Sequence, residues 1–182
     1  MTVGHLALGL AAARLQPGSR RGLALRMALY AFLGVAPDLD LVPIALGWGQ
    51  LVPLGHRGAT HSLVAAAAVA LVVALVWPGG SRLRTGFFAF LAMASHGLVD
   101  PLVAGSHGPA LLWPFMDAPF TWGGFQPVPE TPVGFGLLEA QGFLHLAFEV
   151  ALFAPLAVYA LWPRSRRGTA RLPEVEALPL QA

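Results

Sequence analysis

Apolar positions fall into five runs, at about 3–15, 22–47, 62–77, 86–104 and 143–162. Gly, Pro and Arg gather in the stretches between them. The last run, GFLHLAFEVALFAPLAVYAL, has the ~20 residues that a membrane-spanning helix requires. Residues 62–77, SLVAAAAVALVVALVW, fall slightly short of that and close on Trp77-Pro78-Gly79-Gly80, a strong helix stop. Pro37 and Pro43 interrupt the second run, so its latter half is expected to kink or break. The first run is too short to span and predicts a partial or tilted helix. The whole pattern predicts an all-α, polytopic membrane bundle of about four main spans plus a short N-terminal helix.

Composition strengthens the bilayer reading. Of 182 residues 56% are hydrophobic and only 11% charged, with mean hydropathy +0.66. Soluble domains carry roughly 25% charged residues, so too few are present to coat a soluble surface. The length allows one domain. Residues 1–162 are expected to form a membrane-embedded unit, and 163–182 a disordered cytoplasmic tail. The start MTVGHLALGLAAARLQ lacks the basic region of a signal peptide and is expected to belong to the mature chain.

The arginines give the chain two sides. Arg14, Arg20, Arg21 and Arg26 precede the second run, Arg82 and Arg84 the fourth, and Arg164, Arg166 and Arg167 follow the last. Connection 48–61 holds only Arg57, and 105–142 no cation but histidine. The positive-inside rule then places the arginine-rich ends and the C-terminus in the cytoplasm and these two connections outside. Connection 105–142, rich in Gly, Pro and aromatics such as Trp113, Phe120 and Trp122, suits an extracytoplasmic lid at the membrane interface. With a net charge of only +2, the high pI fits membrane flanks rather than nucleic-acid binding.

Chemistry enters with the few ionisable residues. There is no cysteine and no lysine, which removes thiolate sites, Schiff-base chemistry and a phosphate-loop lysine. A metal would need nitrogen and oxygen ligands. Asp38, Asp40, Asp100 and Glu149 lie within apolar runs, where ionisable groups are costly and mark function. His96 with Asp100, and His145 with Glu149, are spaced i,i+4, which puts each pair on one helix face. Six histidines and nine acids in 182 residues predict about 0.3 such pairs by chance. The arginine-derived sidedness brings these pairs, Asp38, Asp40, His5, His56, His61 and His107 to one leaflet. That inventory suits two or three divalent ions, zinc first, with manganese or iron as alternatives. HExxH is absent, which disfavours a zinc peptidase of that type.

PDLD at 37–40, HRGATHS at 56–62, SHGLVD at 95–100 and LLWPF at 111–115, in that order, resemble the YdjM-like family of bacterial inner-membrane proteins. Its members are described as metal-dependent hydrolases, and the resemblance covers about residues 1–162. The family is in turn distantly similar to zinc-dependent phospholipase C and the single-strand-specific zinc nucleases, all-helical enzymes with three zinc ions. That similarity implies metal ligands at His5, Asp40 (or Asp38), His61, His96, Asp100, His107, His145 and Glu149, with His56 left over. It makes Asp40 or Asp38 the bridging aspartate and candidate general base. The soluble enzymes also use their N-terminal amine as a ligand, and here His5 stands close to that position.

The resulting expectation is a metal-dependent hydrolase in the bacterial inner membrane, acting on a phosphoester, lipids included, with Arg57 on a phosphate oxygen. A metal-ion or proton transporter and a scaffold with a structural metal are the rival readings.

Overall fold

The computed structural model describes residues 1–18, 22–46, 55–78, 81–130 and 138–163. Arg20, Arg21, Arg164, Arg166, Arg167, Phe135 and nearly all of the expected tail lie outside these residues. Among the described residues the fold is all-helical, with a single isolated β-bridge, Val103 to Val128. The order is α1 (Thr2–Leu15), α2 (Leu23–Val35), a 3-10 turn (Ala36–Asp40), α3 (Leu41–Ala45), a second 3-10 turn (Ala59–His61), α4 (Leu63–Val76), α5 (Arg82–Val99), a third turn (Asp100–Leu102) and α6 (Ala140–Leu161).

Local chemistry explains the boundaries. Ser62 caps α4 by accepting the Ala65 N–H at 3.0 Å, and α4 ends one residue before Trp77-Pro78. Pro37 and Pro101 each stand near the start of a 3-10 turn, where the missing N–H costs nothing. The expected break in the second apolar run thus falls at Pro37. α2, the turn and α3 still form one apolar stretch, Leu23–Ile44, long enough to cross a bilayer; α6 is the other. α1 and α4 are apolar but shorter. The outward sides of α4 and α6 expose large apolar residues, among them Leu71, Val76, Phe143, Leu144 and Leu161, as a lipid-facing surface requires.

The core sits where α1, α2, α4 and α5 meet, around Ala13, Tyr30, Leu33, Ala70, Ala89 and Met93. Small residues let the backbones approach closely. At Gly34 a Cβ would collide with the carbonyl oxygen of His5, and at Gly97 it would come within 2.5 Å of the His61 carbonyl oxygen. These two glycines therefore set how near α1 stands to α2, and the second turn to α5.

Buried polar side chains gather at two ends of the bundle. At one end Gln16, Tyr30 and Thr85 form a buried polar cluster, with Tyr30 Oη 2.6 Å from Gln16 Oε1 and Gln16 Nε2 donating to Thr85 Oγ1 at 3.1 Å. Arg14 donates to the Trp162 carbonyl at 2.7 Å at this end. The opposite end carries the histidines. There Glu149 of α6 accepts the Val3 N–H at 2.9 Å, so α1 and α6 run side by side in the same direction.

Candidate metal centre

Four side chains from four elements converge at the histidine end. Asp38 comes from the first turn, His61 from the second, His96 from the last turn of α5, and Asp100 from the cap that ends α5. One ligand atom from each lies within 4.8 Å of the others. Asp38 Oδ1 is 3.3 Å from His96 Nε2 and 3.7 Å from His61 Nε2. Asp100 Oδ2 is 3.7 Å from His96 Nε2 and 3.8 Å from His61 Nε2. Donors about 2.1 Å from a tetrahedral zinc lie about 3.4 Å from one another, so these separations fit such an ion.

The hydrogen bonding around the four residues fits as well. His96 donates Nδ1–H to the Gly34 carbonyl at 2.7 Å, which fixes the tautomer and turns the Nε2 lone pair into the group. His61 Nδ1 lies 3.1 Å from Thr60 Oγ1 and 3.2 Å from Asp40 Oδ2, which turns its Nε2 the same way. Both Nε2 atoms are buried and have no hydrogen-bond partner. A buried ring nitrogen left without a partner is costly unless a ligand fills the place. Two carboxylates opposite two neutral imidazoles would also balance the charge of a divalent ion. Without such an ion, burial pulls the His61 pKa down, but the carboxylates of Asp38 and Asp40 beside the ring outweigh it and raise the value to about 9. A cation is favoured at this point in either case.

A second group comprises Asp40, His56 and His61. Asp40 Oδ1 accepts from His56 Nδ1 at 2.8 Å. Its Oδ2 accepts from Thr60 Oγ1 at 2.8 Å and from the Arg57 N–H at 3.2 Å. Arg57 has φ 66°, a left-handed conformation uncommon outside glycine. Its guanidinium donates from Nη1 to Ser106 Oγ at 2.7 Å, and its Nε lies 3.5 Å from Asp100 Oδ2.

The remaining sequence candidates sit around this centre. His5 stacks on His96 with ring centroids 3.7 Å apart, and its Nε2 lies 3.0 Å from Asp100 Oδ1. It therefore reaches the four-residue group through Asp100. His145 and Glu149 face each other, Nε2 to Oε1 at 2.7 Å, with the Met1 nitrogen 3.8 Å from the same oxygen. His107 is exposed in the connection and belongs to neither ligand group. Sequence reasoning missed Thr60, Ser106, Gly34 and Gly97; Thr60 carried the one available signal, its place inside HRGATHS.

Residues 105–130 of the connection fold back over this end. Ala104 N–H donates to Val128 O at 2.8 Å, Ala110 N–H to Arg57 O at 2.9 Å, and Leu63 N–H to Leu111 O at 3.0 Å. Phe115, Met116, Trp122 and Phe125 stay exposed on its outer surface.

An apolar helical bundle that buries a His–Asp group at one end defines a class, an integral membrane protein with a candidate metal centre. The chain belongs to the YdjM inner membrane protein family, whose model matches residues 1–168. It is similar to the inner membrane protein YbcI of Escherichia coli (strain K12), 34% identical over 91 residues, which are 48% of this chain and 53% of YbcI. The chain thus spans about half the length of that curated relative. The family and this relative are bacterial inner membrane proteins. No solved structure matches.

Proposed function

We propose that the protein is a membrane-embedded, metal-dependent hydrolase of phosphoesters, lipids included, with its site towards the outer leaflet. The observation that carries this reading is the pair of buried, unpartnered Nε2 atoms of His61 and His96 facing the oxygens of Asp38 and Asp100. A divalent ion bound by these four residues, zinc first, would supply Lewis acidity and a water acidified to near neutral pKa. The number of ions turns on His61, which the two ligand groups share, one ring nitrogen facing each. A further ion at His145 and Glu149 would require that pair to release each other.

The other residues then take roles from their positions. Asp38 has the more exposed carboxyl of the two ligand acids, 30% against 5% for Asp100. With one oxygen towards the ion, its other oxygen is available to orient a water and hold its proton. Arg57, anchored by Ser106, keeps a buried Nε without a hydrogen-bond partner beside the ligand Asp100, a position suited to a phosphate oxygen. The exposed aromatics of the connection suit a lid that lies in the interface and admits substrate from the bilayer. In this topology residues 1–162 are the embedded unit, and the arginine-rich end and the C-terminus are cytoplasmic. A transport path would need polar groups through the full depth, whereas Gln16, Tyr30 and Thr85 satisfy one another at the far end.

The test is metal content and turnover of the detergent-purified protein across a panel of phosphoesters, phospholipids among them. Metal-dependent turnover, lost in Arg57→Ala with metal retained, is the expected result. Bound metal with no turnover on any phosphoester would refute the hydrolase, and metal uptake into proteoliposomes would make the transporter the better account.

A further inference from the structure

Residues 56–61, HRGATH, contain one ligand of the four-residue group, His61, yet three more of the six contact a single carboxylate, that of Asp40. His56 Nδ1 donates to its Oδ1 at 2.8 Å. Thr60 Oγ1 and the Arg57 N–H donate to its Oδ2 at 2.8 and 3.2 Å, and His61 Nδ1 lies 3.2 Å from that oxygen. A carboxylate offers about four acceptor positions, and four donors surround this one. The Asp40 side chain is 1% exposed, so water does not compete for it. We infer that Asp40 is a positioning residue: it folds the 56–61 loop and orients His61 towards the ion, and with His56 it is not a second metal site.

The inference rests on the metal reading above and deepens it. For His61 to bind an ion through Nε2, its Nδ1 must carry the proton and donate it, and a carboxylate behind the ring is the usual device. Asp40 and Thr60 supply it here. The same carboxylate accepts the backbone N–H of Arg57, whose left-handed conformation, uphill for a side-chain-bearing residue, needs such a restraint. One buried acid therefore couples the orientation of a metal ligand to the placement of the arginine beside it. An ion placed among Asp40, His56 and His61 would face the N–H and O–H groups that already point at the carboxylate. It would also require the Nδ1 lone pair of a ring whose Nε2 serves the other group. Both conditions work against a second ion.

The experiment measures zinc stoichiometry and affinity, by chelator competition, in the full chain in detergent, with the absorption spectrum of the cobalt-substituted protein as a local readout. Asp40→Asn and His56→Ala are expected to keep the wild-type stoichiometry. Asp40→Asn should weaken zinc by about 10–100-fold, the effect of losing an outer-shell partner, and alter the cobalt bands. Thr60→Val, which removes one of the same contacts and serves if Asp40→Asn does not fold, should weaken zinc with stoichiometry intact. Asp38→Ala should lose an ion outright. Loss of one ion in His56→Ala or Asp40→Asn would overturn the inference and make the pair ligands of a second ion, leaving the metal reading intact. Unchanged affinity and cobalt spectrum in both Asp40→Asn and Thr60→Val would overturn the positioning role. A wild-type protein that binds no zinc would overturn the metal reading itself and this inference with it.

Discussion

The two ends of the bundle both bury polar side chains, but they do so differently. At the Tyr30 end the three side chains of the polar cluster meet their complements: Tyr30 with Gln16 and the Thr85 carbonyl, Gln16 with Thr85. At the His96 end, two imidazole nitrogens and two carboxylate oxygens face a common point without hydrogen bonds between them. A satisfied cluster holds helices together. A cluster whose bonding stops short at one shared point is arranged for something that comes from outside. Burial alone does not separate the two cases, since Tyr30 and His96 are both fully enclosed.

Adding and removing metal should separate the two ends most clearly. Zinc at about 100 times its Kd should stabilise the wild-type protein by about 2.7 kcal/mol, read as a rise in Tm. Asp38→Ala, His96→Ala and Asp100→Ala should abolish that rise and the bound ion, whereas Tyr30→Phe should keep both. A zinc-dependent Tm in Asp100→Ala would show that the four-residue group is not the site. Gly34→Ala comes next. Its new methyl meets the His5 carbonyl, so α1 should be forced from α2 at a cost of about 1–3 kcal/mol. Because the Gly34 carbonyl also fixes the His96 ring, zinc affinity should fall with stability in this variant.

Tyr30→Phe probes the opposite end of the bundle. It leaves Gln16 Oε1 buried without its donor, at about 1–3 kcal/mol, and thermal or denaturant unfolding should register this at unchanged zinc affinity. The smallest effect belongs to His107→Ala. That side chain is exposed and outside both ligand groups, so metal content and affinity should stay at wild-type levels. A lost ion there would show that the connection closes over the centre when metal binds.

Much of this arrangement was readable from sequence because apolar surroundings make each ionisable residue conspicuous. PDLD, HRGATHS and SHGLVD contributed every residue of the two ligand groups, and the break at Pro37 followed from proline's missing N–H. The roles were less readable. His96–Asp100 and His145–Glu149 share the same i,i+4 spacing, yet the first pair opens towards Asp38 and His61 while the second closes on itself. Spacing places two side chains on one face; neighbours from other helices decide whether they turn to each other or to a third point. His5 shows the same limit, since its reach through Asp100 depends on how closely Gly34 lets α1 approach. The spans were also only partly legible: α2 through α3 and α6 have spanning length, and the other apolar helices are shorter.

The fastening of α1 to α6 carries a consequence for biosynthesis. Val3 and Glu149 are separated by 146 positions, and Arg14 reaches Trp162 across 148. The helix that presents His5 to Asp100 can pack on α2 once α2 is made, but its hydrogen bonds to α6 must wait for residues 149 and 162. A chain cut short before α6 would keep the packing of α1 on α2 and all four residues of the ligand group, but would lack these two hydrogen bonds. The pairing of α1 with α6, rather than the ligand group, therefore distinguishes a chain that has reached α6 from a shorter fragment.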